Sequence, residues 1–268
     1  MLAKRLPSKS IRMKDRTGTW KIRWGEMEIG GPTHWYRERL LVAMLRDRVK
    51  GGRILDAGCG DGSLTLRLWR AGYSVDAVDL SDDFVSSLKD RMVPLDAADA
   101  VRVRKGDVTS LDFPDEIFDA VVSGEVLEHV DDDCSAVREY HRVLKVGGIC
   151  VVSVPFNPRR WDFTDEWAGH LRRYSKARLL RLFEGSGFCV ERIQSWGFPV
   201  MYIYYHLIYL PWARGVINKS VEERRSCFAT KIGLNRYVSM VVGKIFEIDN
   251  IFGGFPWGIG VVLRARKI

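Results

Sequence analysis

The chain has 268 residues, of which 46% are hydrophobic and 28% are charged. These proportions are ordinary for a globular protein and exclude a mainly disordered or collagen-like chain. The length suits one α/β domain with a large addition better than two independent domains. The five cysteines are scattered without a C-x-x-C pair. This pattern favours reduced thiols in a cytoplasmic protein over disulfides or a zinc site.

The net charge of +8 is concentrated at the start of the chain, where residues 1–24 carry eight Lys and Arg against the single acid Asp15. No long apolar run accompanies these charges, so they do not predict a secretory signal. A solvated basic arm is one interpretation. Contact with anionic lipid, nucleic acid or an acidic substrate is the other, and composition does not separate them.

The predicted elements begin with a helix from Pro32 to Val49, where apolar residues recur at helical spacing. Strands and helices then alternate, which is the pattern of a parallel sheet covered by helices on both faces. We predict strands at 53–57, 74–79, 101–104, 117–122, 149–154 and 188–196, and helices at 63–71, 82–91, 132–144 and 175–184.

A last strand at 258–266 follows only after an interruption of about sixty residues, far longer than an ordinary loop. The interruption is aromatic in its first half and basic in its second half. It predicts a helical cap that buries its aromatics on the core, forms an apolar acceptor pocket, or lies in a membrane interface. The predicted organisation is a basic arm and cap helix (1–50), a core (51–197), the insertion (198–256) and a final core strand (257–268).

The most informative motif runs from Ile54 to Gly62, where an apolar strand ends in Asp56 and three glycines follow at alternate positions. A strand that turns through glycines into a helix lets a nucleotide-like ligand approach the backbone. The next strand ends in Asp79, and a carboxylate there can accept hydrogen bonds from both hydroxyls of a ribose.

Further motifs follow in phase with this turn: Lys105-Gly106-Asp107-Val108, Ile117-Phe118-Asp119-Ala120-Val121-Val122, Glu125-Val126-Leu127-Glu128-His129-Val130 and Arg142-Val143-Leu144-Lys145-Val146-Gly147-Gly148. With them, residues 53–196 resemble the class I S-adenosylmethionine-dependent methyltransferases, in particular the group of ubiquinone and menaquinone methyltransferases. The resemblance implies a seven-stranded Rossmann-like sheet of order 3-2-1-4-5-7-6, S-adenosylmethionine as cofactor and S-adenosylhomocysteine as product.

The resemblance also implies which residues hold the methionine end of the cofactor. Asp56, Gly58 and Gly60 would lie against it, with the Asp56 carboxylate near the cofactor amino group. Arg39, on the N-terminal helix, is placed as in relatives where an arginine reaches the cofactor carboxylate.

At the other end of the cofactor, the resemblance implies that Asp79 binds the ribose and that Leu80 lies beside the adenine. Asp107 would accept from the adenine amino group, and the Val108 backbone amide would face the same ring. Ser123, at the end of the fourth strand of the core, would line the pocket.

Catalysis by such a protein needs few residues, because the sulfonium is already an activated methyl donor and alignment does most of the work. A protonated acceptor also needs a general base, for which His129 and His170 are the candidates. Glu125, Glu128 and His129 have the spacing of one helical face and could bind a divalent metal. Similar Glu-x-x-Glu-His sequences occur in relatives that use no metal, and we predict that this protein binds no metal.

The resemblance implies that Trp161, Arg173 and Tyr174 belong to a loop over the acceptor, and the aromatic insertion adds Tyr205 as a predicted acceptor-binding residue. We predict methyl transfer to an oxygen of a small or lipophilic acceptor by a cytoplasmic protein with peripheral membrane contact. The alternatives are a nucleic-acid or protein acceptor, suggested by the basic arm, and a non-catalytic scaffold that binds the cofactor. A nucleic-acid acceptor is disfavoured, because Val154-Pro155-Phe156-Asn157-Pro158 is not an exocyclic-amine motif.

Overall fold

The computed structural model describes residues 13–14, 20–21, 31–95, 97 and 99–268. The predicted basic arm lies mostly outside these residues. Of it, the structure describes the backbone of two short strands, β1 (Met13–Lys14) and β2 (Trp20–Lys21), which pair antiparallel.

The rest of the described chain is built around a seven-stranded sheet of order β5-β4-β3-β6-β7-β9-β8. Only β9 runs antiparallel to its neighbours, β7 and β8. Numbered within the sheet alone, this is the order 3-2-1-4-5-7-6, so the prediction is confirmed. The strands are β3 (Arg53–Ala57), β4 (Ser74–Asp79), β5 (Val101–Lys105), β6 (Phe118–Gly124), β7 (Leu144–Pro155), β8 (Phe188–Trp196) and β9 (Gly260–Lys267).

Helices cover both faces of the sheet, and each face has its own buried apolar cluster. Leu41, Leu68 and Leu88 belong to one cluster, whereas Val137 and Phe183 belong to the other. The helices of the core are α1 (Pro32–Arg46), α2 (Ser63–Arg70), α3 (Asp82–Met92), α4 (Asp133–Val143), α5 (Phe163–Ala168) and α6 (Lys176–Glu184), with 3₁₀ turns at Val93–Leu95, Leu127–His129 and Pro158–Arg160.

The predicted cap is helical and lies between β8 and β9. Its helices are α7 (Val200–Tyr204), α8 (Leu210–Val216), α9 (Val221–Ser226), α10 (Phe228–Leu234) and α11 (Arg236–Ile245); a π-helical turn (Tyr205–Tyr209) joins α7 to α8, and a 3₁₀ segment (Phe246–Phe252) follows α11.

Two polar contacts fix the cap to the core. The buried Asp249 carboxylate accepts from the backbone N–H groups of Val200 and Met201 at the start of α7. The Tyr36 hydroxyl, on α1, donates to the Asn250 side chain at 2.7 Å. Among the described residues, none of the helices combines the length and apolar character that crossing a bilayer requires.

The strand predicted at 149–154 is longer than expected and begins directly after α4. Phe118 pairs with Leu144, and the next regular partner, Ala120, pairs with Ile149. The residues 145–148 bulge out between these pairs, with Gly147 at φ +77°. The Val-Gly-Gly sequence therefore forms a bulge within the strand rather than a turn before it.

Candidate active site

The glycine-rich turn follows β3 at the carboxyl edge of the sheet. Gly58, Gly60 and Gly62 all have positive φ, at +80°, +51° and +79°. A Cβ atom would collide with Val126 at Gly58 and with Leu88 at Gly62, whereas at Gly60 it would meet nothing within 4 Å. Gly60 thus borders open space at the start of α2, where exposed backbone groups can receive a ligand.

Asp79 ends β4 beside this turn, as predicted. Its buried carboxylate accepts from the N–H groups of Gly60 and Ser81, each at 2.9 Å. Burial raises the pKa of Asp79, and the two N–H groups oppose that shift. The next residue, Leu80, is apolar and yet 61% exposed. A carboxylate next to an open apolar side chain fits a ribose with its attached base.

Asp107, at the end of the next strand, lies in a tight turn. Its Oδ1 accepts from the backbone N–H and the hydroxyl of Thr109, at 2.8 and 2.7 Å, and Val108 beside it is buried. Ser123 is buried too, and its hydroxyl donates to the Ala57 carbonyl at 2.9 Å. The Ser123 side chain therefore braces β3 against β6, so a direct cofactor contact through its hydroxyl is not supported.

Asp56 lies fully buried in β3 under the glycine turn. Its Oδ2 accepts from the Thr65 hydroxyl at 2.6 Å, while its Oδ1 has no hydrogen-bond partner in the described part of the chain. Burial raises the pKa of Asp56 to about 7, against the effect of the Thr65 hydrogen bond, and the Glu38 carboxylate adds to the rise. An unpartnered buried oxygen is costly, and a cationic amino group would relieve that cost.

A polar network ties α1 to the start of α2. The buried Glu38 carboxylate contacts the Ser63 hydroxyl, lies 2.8 Å from His34 Nε2 and forms an ion pair with Arg67 at 3.0 Å. Burial alone would raise the pKa of Glu38. The contacts with His34, Arg67 and Ser63 together outweigh burial and lower this pKa to about 2.

Arg37 belongs to this network and points inward from α1. Its Nη2 contacts His34 Nδ1 at 2.8 Å. Its positive charge acts to lower the pKa of Glu128, against the larger effect of burial. Its buried Nε has no hydrogen-bond partner among the described residues. Such a donor can take a carboxylate oxygen.

The prediction for Arg39 is corrected. Its guanidinium is exposed and pairs with Glu247 of the cap, with Nη2 2.8 Å from Oε1. Two positions along a helix turn a side chain to the far side of the axis. Arg37 therefore replaces Arg39 as the candidate for the cofactor carboxylate.

His170 lies next to α5 and makes a directional contact with it. Its Nδ1 is 2.7 Å from Oδ1 of the fully buried Asp165, and its Nε2 is 4.0 Å from Glu128 Oε1. Arg173 donates through Nε to both Asp165 oxygens at 2.8 and 2.9 Å. Although burial opposes ionisation, His170 and Arg173 lower the pKa of Asp165. An ionised carboxylate at Nδ1 leaves Nε2 as the basic nitrogen of the imidazole.

His129 has a different environment. Its Nδ1 is 3.2 Å from the Gly169 carbonyl oxygen, and its ring packs edge-on against the ring of His170 at 5.0 Å. Burial, with the neighbouring His170, lowers the pKa of His129 to about 3. Its role is thus to hold the 169–170 loop in place, and the prediction that it acts as a base is not supported.

Glu125, Glu128 and His129 do not share one α-helical face, because Leu127–His129 is a 3₁₀ turn and Glu125 has φ +58°. That part of the metal argument is corrected. Donor atoms of Glu128, His129 and His170 instead lie within 4.8 Å of one another. Burial, together with Glu125, raises the pKa of Glu128 well above its usual range, which favours the neutral acid. The absence of a metal requirement stays a prediction.

The predicted acceptor residues occupy different environments. Trp161 is 40% exposed at the start of the loop before α5. The Tyr205 hydroxyl, under the cap, donates to Asp162 Oδ2 at 2.9 Å and lies 2.8 Å from Thr164 Oγ1. Arg173 is held by Asp165, as described. Tyr205 thus joins the cap to the start of α5.

Tyr174 is a core residue, and its predicted acceptor contact is corrected. Its side chain is 0% exposed, and its hydroxyl donates to Asp133 Oδ2 at 2.7 Å and contacts the Leu127 carbonyl at 3.0 Å. The residues that flank Tyr174 in the sequence are polar or charged, so the sequence did not indicate that this side chain is buried.

This geometry defines a Rossmann-like domain that binds a nucleotide-type cofactor: a glycine turn follows the central strand, and an acidic residue ends the next strand. Residues 55–152 match the family model described as a methyltransferase domain. The predicted resemblance of this part of the chain to the class I S-adenosylmethionine-dependent methyltransferases is confirmed.

Curated relatives agree with this assignment. A Mycolicibacterium smegmatis protein named as a probable S-adenosylmethionine-dependent methyltransferase is 32% identical over 175 residues, which cover 62% of this chain and 65% of that protein. The ubiquinone biosynthesis O-methyltransferase of Pseudomonas aeruginosa is 31% identical over 134 residues, covering 48% of this chain and 53% of that protein. The matches thus span less than two thirds of these relatives.

Among solved structures, geranyl diphosphate C-methyltransferase from Streptomyces coelicolor superimposes with a TM-score of 0.58 at 18% identity, covering 88% of this chain and 80% of that one. That protein was crystallised with Mg²⁺, geranyl diphosphate and S-adenosylhomocysteine. At this identity the likeness shows the fold alone.

Proposed function

We propose that this protein transfers a methyl group from S-adenosylmethionine to an oxygen of a small, lipophilic acceptor. The observation that carries the proposal is the His170 and Asp165 pair, with 2.7 Å between Nδ1 and Oδ1, at the edge of the predicted cofactor site. A buried base beside a methyl donor is needed when the acceptor arrives protonated, as an alcohol or phenol does at neutral pH.

The unpartnered polar atoms described above fit the methionine end of the cofactor. Arg37 Nε would take its carboxylate, and Asp56 Oδ1 would take its amino group. Gly60 leaves room for the chain between them, and Asp79 would hold the ribose. When bound, S-adenosylmethionine supplies an activated methyl group on a sulfonium.

His170 Nε2 would accept the proton of the acceptor hydroxyl, and bound S-adenosylmethionine would supply the methyl group to the oxygen. The Asp165 carboxylate holds the Nδ1–H and stabilises the imidazolium that results. Burial raises the pKa of Glu128, which lies 4.0 Å from Nε2, and so disfavours a competing anion beside that nitrogen.

The lipophilic nature of the acceptor is inferred from the cap. Tyr205 and Tyr209 stack with ring centroids 5.3 Å apart, and Tyr209 is 5.6 Å from Trp212. These rings lie next to α5, which carries Asp165, so an aromatic wall borders the proposed base. We also propose that the protein is cytoplasmic and meets a membrane surface where such an acceptor would dissolve.

The test is incubation of the purified protein with cell extract and S-adenosylmethionine carrying a labelled methyl group. Labelled product in the organic phase, with a mass increase of one methyl on oxygen, is expected. Label in RNA or protein would support the alternative acceptors instead. Cofactor binding without any labelled product across extracts would favour the non-catalytic scaffold and overturn the proposal.

A further inference from the structure

The second half of the cap presents an unusual helix. The inward face of α11 carries small residues together with valine: Ser239 and Gly243 are buried, the ring of Trp35 lies directly over Gly243, and the partly buried Val242 packs against the core cluster. The outward face is apolar, with Tyr237 66%, Val241 54% and Ile245 47% exposed. Helix α11 is thus apolar on its outward face, where a helix that packs on a core ordinarily carries polar side chains.

The apolar surface continues beyond α11 in both directions. We call it the outer cap face, formed by Phe228, Ile232, Tyr237, Val241, Ile245 and Ile248, all exposed. Four of these follow one another at positions 237, 241, 245 and 248, the repeat of one helical stripe. Contiguous exposed apolar surface of this kind marks an interaction site rather than ordinary surface.

The charges around the outer cap face have one sign. Lys231, Arg236 and Lys244 are exposed and take part in no ion pair among the described residues. The two acidic residues between positions 228 and 252 are both engaged, Glu247 with Arg39 and Asp249 with the start of α7. The partner of this face should therefore be apolar and anionic.

We infer that the outer cap face docks on an anionic lipid surface, with the apolar stripe of α11 in the acyl boundary and Lys231, Arg236 and Lys244 at the headgroups. An interfacial helix has this composition. A second copy of the chain fits less well, because a two-fold contact through this face would set Lys231, Arg236 and Lys244 against their own copies. The inference rests on the proposed function only in that a membrane would supply the acceptor.

The test is sedimentation of the protein with vesicles of equal parts phosphatidylglycerol and phosphatidylcholine, and with vesicles of phosphatidylcholine alone. Binding to the mixed vesicles is expected to fall at least about tenfold in the double variant Val241→Ser/Ile245→Ser. The matched control is Val93→Ser/Val146→Ser. It removes two valines that lie elsewhere on the surface and are more exposed than Val241 and Ile245, and it should bind as wild type does.

A second pair of variants tests the charges. Lys231→Glu/Arg236→Glu/Lys244→Glu should lose binding to the mixed vesicles, whereas Lys89→Glu/Arg138→Glu/Arg181→Glu, with the same change of charge on exposed helical sites, should keep most of it. Cofactor affinity and circular dichroism of every variant report whether it is folded.

Unchanged vesicle binding by folded Val241→Ser/Ile245→Ser protein would overturn the inference. So would a wild-type dimer in solution that the same variant dissociates, because the face would then join two copies. Vesicle binding is measured without turnover, so failure of the docking and failure of methyl transfer give different results.

Discussion

Arg37 and Arg39 leave helix α1 in different directions, although only two positions separate them. Arg37 turns inward to His34 and towards Glu128, and Arg39 turns outward to Glu247 of the cap. The same helix thus contributes one arginine to the predicted cofactor site and another to the junction with the cap.

This difference makes a matched pair of variants. Arg37→Ala should weaken S-adenosylmethionine binding by about tenfold or more, because a charge-assisted hydrogen bond to the cofactor carboxylate contributes roughly 1.5 to 3 kcal/mol. Arg39→Ala should leave cofactor affinity within about twofold, since an exposed ion pair contributes little. Isothermal titration calorimetry measures both. Equal losses in the two variants would return Arg39 to the site.

The His170 and Asp165 pair predicts a defect in chemistry rather than in cofactor binding. His170→Gln should lower kcat by about 100-fold or more, the usual contribution of a general base, with the cofactor dissociation constant unchanged. Asp165→Asn should also lower kcat by about 100-fold or more, because the amide oxygen is drawn to Arg173 and the amide NH2 group would then face His170 Nδ1, which imposes the wrong tautomer. Glu166→Gln, at the exposed neighbouring position, is the control.

Acceptor acidity gives a second measure of the same pair. The loss in His170→Gln should shrink for acceptors whose hydroxyl is already ionised at the assay pH, since these need no base. A loss that is equal for acidic and weakly acidic acceptors would show that His170 only shapes the pocket.

The raised pKa of Asp56 predicts that cofactor binding releases a proton. Its folded-state pKa of about 7 lies above the usual value for an aspartic acid, so the group is mostly protonated below that pH. A cationic amino group at Oδ1 would lower this pKa, and affinity should rise with pH until about 7 and then level off. At about pH 6 nearly one proton should leave per cofactor bound.

Calorimetry in buffers of different ionisation enthalpy counts those protons. Asp56→Asn removes the ionisable group and should make the observed binding enthalpy independent of the buffer. Buffer-independent enthalpy in the wild type would contradict the placement of the amino group at Asp56.

Chelation tests the predicted absence of a metal requirement. A metal at Glu128, His129 and His170 would have to deprotonate a carboxyl whose pKa burial raises, and it would compete with existing contacts of both histidines. Methyl transfer should therefore survive exhaustive dialysis against a chelator. Activity that is lost and then restored by magnesium or zinc would show that the three donors form a metal site.

The sequence predicted the sheet because its signals are local. Apolar runs end at glycines or acids, and strands 53–57, 74–79 and 188–196 were located to the residue. The position of the cofactor turn and of Asp79 follows from the same signals. The order of the strands came from the resemblance, not from the pattern.

Side-chain direction on α1 could not be predicted in the same way. Which arginine faces inward depends on α1 packing between α2 and α11, whose sequences are far apart. Tyr174 was misassigned for a similar reason, because its partner Asp133 lies 41 residues earlier. Asp165 was missed, although Asp162 and Asp165 have the spacing of a helix-capping pair, which could have located α5.

The role proposed for Asp79 also gains a structural component. Because its carboxylate accepts from Gly60 and Ser81, replacing it with alanine would loosen the turn itself as well as remove a ribose contact. Asp79→Asn keeps one of the two acceptor oxygens, so it should loosen the turn less than Asp79→Ala while removing the charge.

The three glycines of the turn exclude larger residues for two different reasons, which the amino-acid sequence alone does not distinguish. At Gly58 and Gly62 a side chain would strike Val126 or Leu88, so a larger residue is opposed by the folded protein itself, whether or not anything is bound. At Gly60 the space is empty, and a methyl group there would occupy volume that belongs to the ligand. Gly60 also has φ +51°, a conformation that costs a residue with a side chain about 1 to 2 kcal/mol. Random mutagenesis scored first for folded protein should therefore disfavour small residues less at position 60 than at 58 or 62, and a second screen for cofactor capture should reject the ones that remain.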